Sequence, residues 1–194
     1  LQKVKHFNLQ FQQISDLTPL AGLTSLESLS LFGNQITDLI PLAGLTKLKM
    51  LDLRMNQITD VKPLAGLQEL QKVYLYENQI TDLKPFAGLK ELKDLELGCN
   101  KVTDLKPLAG LTKLEWVRLY HNRIADLTPL AKLAKLQRIW IRDNLISDLT
   151  PLAGLKELKH VRVGYNPNLT LAEVNKLKKA LSTPKPWVEH NYRK

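Results

Sequence analysis

The sequence predicts an α/β solenoid. One open parallel β-sheet should line its concave side, short 3₁₀ or irregular turns its convex side, and a capping helix its C-terminal end. Three observations carry that expectation. A 22-residue period runs from about residue 4 to residue 169. Within each period, apolar residues first alternate and then recur at wider spacing. The period breaks at residue 167 and gives way to amphipathic helical spacing. A unit this short cannot bury its apolar face alone, so copies must stack, and stacked short strands form one sheet.

The repeat is clearest from Leu26 to Leu45, L-E-S-L-S-L-F-G-N-Q-I-T-D-L-I-P-L-A-G-L. Asn34, Asn56, Asn78, Asn100, Asn122, Asn144 and Asn166 keep the 22-residue step, as do the aspartates from Asp16 to Asp148 and the prolines from Pro19 to Pro151. L-x-x-L-x-L-x-x-N at such a period is the leucine-rich-repeat signature. The I-[TS]-D-L-x-P-L-A-G-L segment further resembles the repeats of bacterial internalin-like proteins. That resemblance implies a leucine-rich-repeat horseshoe acting as a recognition domain, secreted or displayed on a cell surface, with no catalysis of its own.

The 194 residues are read as a single domain: an imperfect first repeat over 1–25, regular repeats over 26–166 and a cap over 167–194. No apolar run approaches the ~18 residues of a membrane span, and no signal peptide is visible. The first residue is Leu1 rather than Met, which is read as removal of a signal or upstream segment. A lone cysteine, Cys99, excludes an intrachain disulfide.

In the first repeat, Val4, Phe7 and Leu9 take the strand positions and Gln12 stands where later repeats carry Asn. Internalin-like proteins precede this point with a helical cap, which is absent here, so either the chain is truncated or Leu1, Val4 and Phe7 meet something else. In the regular repeats, L-x-x-L-x-L reads as a strand, with Leu29 and Leu31 inward and Ser28, Ser30 and Phe32 outward. The Asn amide is suited to bonding backbone groups left open where the chain turns, giving a ladder. Ile36, Leu39, Leu42 and Leu45 complete seven inward aliphatic side chains per repeat, at about 1.5–3 kcal/mol each. Proline suits the first position of a helical turn, where its missing N–H costs nothing. The recurring aspartates read as turn caps, since no second carboxylate accompanies each one to make a Ca²⁺ site.

Near the C-terminus, Thr170 and Glu173 form a T-x-x-E capping box. Leu171, Val174, Leu177 and Leu181 follow on one helical face, with lysines opposite. Ser182 to Pro186 ends the helix, and Trp187 to Glu189 adds a last short strand.

The repeats also serve as their own comparison. Four outward columns step by 22 residues from His6, Asn8, Gln10 and Phe11, and their identities change completely while the interior stays constant. These 32 positions hold 8 of the 12 aromatic residues and 5 of the 7 arginines, but 1 of the 21 lysines. Strands favour aromatics anyway, but that preference does not separate Arg from Lys. Arg and aromatics enriched over Lys is the composition of a protein-binding surface. The columns carry a net charge of +1 against +9 for the chain, so the excess lies on convex and edge lysines, unlike a phosphate-tracking groove.

The expected binding centre is Trp116, Arg118, Tyr120, Arg138, Trp140, Arg142 and Arg162, with Tyr74 and Tyr76 as a second contact and an acidic patch of Asp52, Glu77, Asp94 and Glu96 between. Glu96, Arg118 and Trp140 share one row, where Glu96 should orient Arg118 and Trp140 stack on it. The expected partner is a folded protein with an acidic, partly apolar surface, bound by a monomer. No nucleic acid, membrane insertion, metal or cofactor is expected. The alternative is carbohydrate binding at the aromatic and arginine patch. A constant framework under diversified columns also fits an engineered binder on a consensus repeat, and equally a natural array duplicated under selection.

One row has the order of a catalytic set. Cys99, His121 and Asp143 sit on consecutive repeats, and Cys-His-Asp can activate a thiolate. Nothing nearby supplies an oxyanion hole or a cleft, so coincidence in a diversified column is the plainer reading. Glu77, Cys99 and His121 fall short of the four ligands of a structural metal site.

Overall fold

The computed structural model describes residues 4–181 and 187–189. Its nine strands are β1 (His6–Asn8), β2 (Ser28–Ser30), β3 (Met50–Asp52), β4 (Lys72–Tyr74), β5 (Asp94–Glu96), β6 (Trp116–Arg118), β7 (Arg138–Trp140), β8 (His160–Arg162) and β9 (Trp187–Glu189). All pair in parallel, in chain order, in one sheet that does not close on itself. From β1 to β8 the register advances by one repeat per strand, so His6 faces Ser28, Ser28 faces Met50, and so on to Arg138 and His160. The expected columns are therefore real rows of neighbours. Beyond each three-residue strand the cross-strand hydrogen bonds continue, with the Leu31 N–H donating to Asp52 O and the Gly33 N–H to Arg54 O.

The interior is a single apolar core. Leu29, Leu31, Ile36, Leu42 and Leu45 and their counterparts in the later repeats are fully buried, with Phe86 taking the place of a leucine. Each asparagine ties two repeats together. Asn100 Nδ2 donates to Leu75 O at 2.9 Å and to Leu97 O at 3.1 Å, and its Oδ1 accepts from the Ile80 N–H at 2.9 Å. The same pattern recurs from Asn34 to Asn166. Each aspartate is a turn cap: Asp38 Oδ1 accepts the Ile40 N–H at 2.8 Å, and Asp126 the Thr128 N–H at 2.8 Å. Single 3₁₀ turns with proline in the first turn follow, as at Ile40–Leu42.

The ends depart from the sequence expectation in two places. In β1, Phe7 is 37% exposed, because no strand or turn of the described residues covers the outer side of the first repeat. Helix α1 (Leu171–Ala180) begins at Thr170, whose side chain accepts the Glu173 N–H. Val174, Leu177 and Leu181 pack on the core, but Leu171 is 48% exposed: as the first helical residue it lies beyond the edge of the last repeat. Leu1 and the segment from Ser182 to Pro186 lie outside the described residues.

Candidate functional site

The concave surface is built by a backbone device repeated at every strand exit. Phe11, Met55, Glu77, Cys99, His121, Asp143 and Tyr165 have φ between +52° and +57°, and Gly33 has +68°. This left-handed residue directly precedes the framework Asn, except in the first repeat, where Gln12 stands in its place. It turns the chain away from the sheet and leaves its side chain on the rim. A non-glycine residue in this region is strained, and the Asn amide bonds on either side hold it there.

Seven of the expected contact residues form a continuous ladder of rings and guanidinium groups. Arg138 lies 4.6 Å from the Trp116 ring, Arg118 lies 5.7 Å from Trp116 and 5.3 Å from Trp140, and Arg162 lies 4.4 Å from Trp140. Tyr120 stands 6.4 Å from Trp140 and 5.8 Å from Tyr76. Trp140 thus stacks on Arg118 as its row position predicts. Tyr74 stands apart from these, beside Arg54, which also lies over Phe32.

The carboxylates are arranged differently from the expectation. Asp52, Asp94 and Glu96 are only 4%, 6% and 9% exposed, so these three members of the acidic patch are roofed over, while Glu77 on the rim stays exposed. Arg118 Nη1 donates to Asp94 Oδ1 at 2.8 Å, not to Glu96, although Glu96 is its direct strand neighbour. Glu96 instead accepts from the Tyr120 hydroxyl at 3.2 Å. The reason is reach: a guanidinium on a long stem lies diagonally across the sheet more easily than it folds back over its own strand position. Asp94 also accepts from the Tyr74 hydroxyl, and burial together with that carboxylate pushes the Tyr74 phenol up to about 12. Burial, then Glu96, likewise raise the Tyr120 phenol. Both tyrosines remain hydrogen-bond donors throughout the physiological range.

Most arginines on this face are spent on acids within the chain. Arg54 grips Asp52 through two bonds of 2.9 and 2.7 Å, Arg142 meets Asp143 at 3.1 Å and Arg162 meets Glu189 at 3.1 Å. Arg138, exposed and over the Trp116 ring, has no carboxylate partner among the described residues.

The Cys99 row does not assemble as a nucleophile. His121 Nε2 lies 3.4 Å from Asp143 Oδ2 and 3.2 Å from Arg142 Nη2. Cys99 feels the nearby Tyr76 hydroxyl rather than the imidazole. Burial raises the thiol, and this outweighs the Tyr76 effect; an activated thiolate requires the opposite shift. No group of three His, Cys, Asp or Glu among the described residues is placed to hold a metal ion. No helix among them is long and apolar enough to cross a membrane.

The family model for leucine-rich repeats in two copies matches residues 2–44, 24–66, 68–110 and 112–154. Among solved structures, internalin C2 of Listeria monocytogenes is 36% identical, superposes with a TM-score of 0.87, and is matched over 96% of this chain and 80% of its own. A second internalin of that organism, inlF, is 29% identical with a TM-score of 0.85, over 98% of this chain and 61% of its own. A leucine-rich-repeat protein of Leptospira interrogans is 25% identical with a TM-score of 0.73, over 97% of this chain and 55% of its own. A search of curated protein sequences gives no match.

Proposed function

The chain belongs to the leucine-rich-repeat family as an internalin-like member, and from that premise we propose that it is a non-catalytic module that binds a folded protein through its concave face. Proteins of this family commonly serve protein–protein recognition. The observation that carries the proposal is the ladder of Arg138, Trp116, Arg118, Trp140 and Arg162. Large flat side chains, already held against one another on a pleated sheet, lose little conformational freedom on contact with a partner. They are also the residue types that dominate binding hot spots.

The pairing within the face narrows the partner's chemistry. A strongly acidic partner would compete with Asp52, Asp94, Asp143 and Glu189 for arginines already engaged. The partner this face suits is largely apolar and aromatic-compatible, with a carboxylate placed to meet Arg138. Tyr76 extends the contact through Tyr120, and Tyr74 supports the face from below through Asp94.

Affinity capture from candidate host-cell lysates tests the proposal, with the Trp140→Ala/Arg142→Ala double variant as control. A protein retained by the wild-type chain and lost with the variant is the expected result. Retention of the same proteins by both, or binding to an oligosaccharide array that the variant abolishes with no protein retained, overturns it.

A further inference from the structure

At the opposite end of the sheet from the ladder, the concave face sinks. Where β6 and β7 carry Trp116, Arg118 and Trp140, β1 and β2 carry Asn8, Ser28 and Ser30. The result is a hollow of about 430 Å³, within the ~300–1,000 Å³ range of small-molecule sites. Of the residues expected to contact a partner, Tyr74 lines it, beside Arg54; the ladder from Trp116 to Arg162 does not.

Its hydrogen-bonding groups are only partly used. Ser30 Oγ accepts from Gln10 Nε2 at 2.9 Å, which leaves its own hydroxyl hydrogen to donate. Asn8 Oδ1 accepts the Gln10 N–H at 3.2 Å, while the Asn8 amide NH₂ has no protein partner among the described residues. Gln10 Oε1 is likewise an open acceptor among them. Ser28 Oγ meets only the Met50 sulfur, at 4.0 Å, so its lone pairs are open too. The Asp52 carboxylate and Arg54 guanidinium at the wall are closed on each other. Met50 and the Tyr74 ring supply apolar surface.

We propose that this hollow binds a single neutral sugar residue. A pyranose offers several hydroxyls that each donate and accept, set around an apolar C–H face. That combination matches open donors at Asn8 and Ser30, open acceptors at Ser28 and Gln10, and the apolar surface of Met50 and Tyr74. A phosphate or carboxylate would find the Arg54 guanidinium already engaged by Asp52, with only the His6 imidazole left beside it. An apolar knob would leave the open donors and acceptors dry and unpaired. The inference shares Tyr74 with the protein-recognition reading but none of the Trp116 to Arg162 ladder, so either can fail alone.

The test is an amide and side-chain NMR titration of the whole 194-residue chain. The probes are methyl α-glucopyranoside, methyl β-galactopyranoside and methyl N-acetyl-β-glucosaminide, with N-acetyl-tyrosinamide as a mimic of a protein side chain. At least one glycoside should shift Asn8, Gln10, Ser28 and Ser30 saturably in the millimolar range. Ser28→Leu, which fills the hollow, should weaken that binding at least tenfold, while Trp140→Ala/Arg142→Ala leaves it unchanged. Asn8→Leu, at an exposed position, serves as the second filling variant should Ser28→Leu lose its native melting transition. Absence of shifts with every glycoside, or shifts centred elsewhere on the chain, overturns the inference. So does N-acetyl-tyrosinamide shifting these resonances where no glycoside does, which would make the hollow a socket for a partner's side chain.

Discussion

The ring of Tyr120 lies across Gly98: a Cβ built on Gly98 would stand 2.5 Å from the ring's Cζ, far inside van der Waals contact. The glycine is therefore a seat. It lets the ring lie low enough for its hydroxyl to reach Glu96 and its edges to meet Tyr76, Trp140 and His121. Phe11 lies over Gly33 in the same way at the other end of the sheet.

Gly98→Ala should unseat Tyr120 while leaving the core intact. The expected cost is about 1 kcal/mol of stability, as for a modest overpacking, with a clear change in near-UV circular dichroism. Partner affinity should fall as far as in Tyr120→Ala. An unchanged aromatic signal would show that the ring is free to settle elsewhere.

Arg118→Ala should reduce stability as well as binding, because it strips a buried carboxylate of its cation. Tyr74 still serves Asp94, and the pair retains some solvent contact, so about 1–2 kcal/mol is expected rather than the full cost of an orphaned buried charge. Adding Asp94→Asn should recover part of that loss in urea unfolding. Trp140→Ala, by contrast, should leave the unfolding midpoint nearly unmoved. Equal losses for Arg118→Ala with and without Asp94→Asn would mean that the ion pair is not what Arg118 contributes.

Asn100→Ala removes an amide that serves backbone groups of two successive repeats, and leaves them buried without partners. Each unsatisfied group costs about 1–3 kcal/mol, so about 3 kcal/mol or more should be lost. Gln12, which replaces Asn in the first repeat, bonds only Gln10 O through its side-chain amide and is exposed. Gln12→Ala should therefore cost less than 1 kcal/mol in the same assay. Similar losses at the two positions would contradict the ladder's role.

Acid should weaken the fold through carboxylates of the convex turns and edge. Lys49 and Lys5 hold Glu27 down to about 2, and the Thr18, Thr128 and Thr150 bonds hold Asp16, Asp126 and Asp148 below the usual aspartate range. A folded-state pKa below the unfolded one stabilises above the unfolded value and is lost as pH falls through the folded one. The Glu27 contribution is thus complete above about pH 4.5 and gone near pH 2. Melting temperature should fall through that window, and Glu27→Gln combined with Asp126→Asn should make the fall shallower. Parallel acid profiles for the two proteins would remove these groups from the explanation.

Much of this architecture was legible before any coordinate. The inward leucines, the Asn ladder, the Asp turn caps and the columns all follow from period alone, because a repeat that stacks on itself places equal residues in equal surroundings. The exposure of Phe7 and Leu171 did not follow, because a terminal repeat has the pattern of its neighbours without their cover. The Arg118–Asp94 pair was hidden for another reason. Strand register names the residue directly alongside, but a long side chain chooses among diagonal partners by reach and burial.

Sequence by itself determined the solenoid, its handful of interior positions and which residues share its open face, since these depend only on periodicity and on which side chains water rejects. Tertiary structure alone decided how that face is wired: which carboxylates are roofed over, that Arg138 keeps its charge uncommitted among the described residues, that Tyr120 rests on Gly98, and that the N-terminal end sinks into a hollow. Those outcomes depend on side-chain length, direction and competition for partners across several repeats, and no single repeat encodes them.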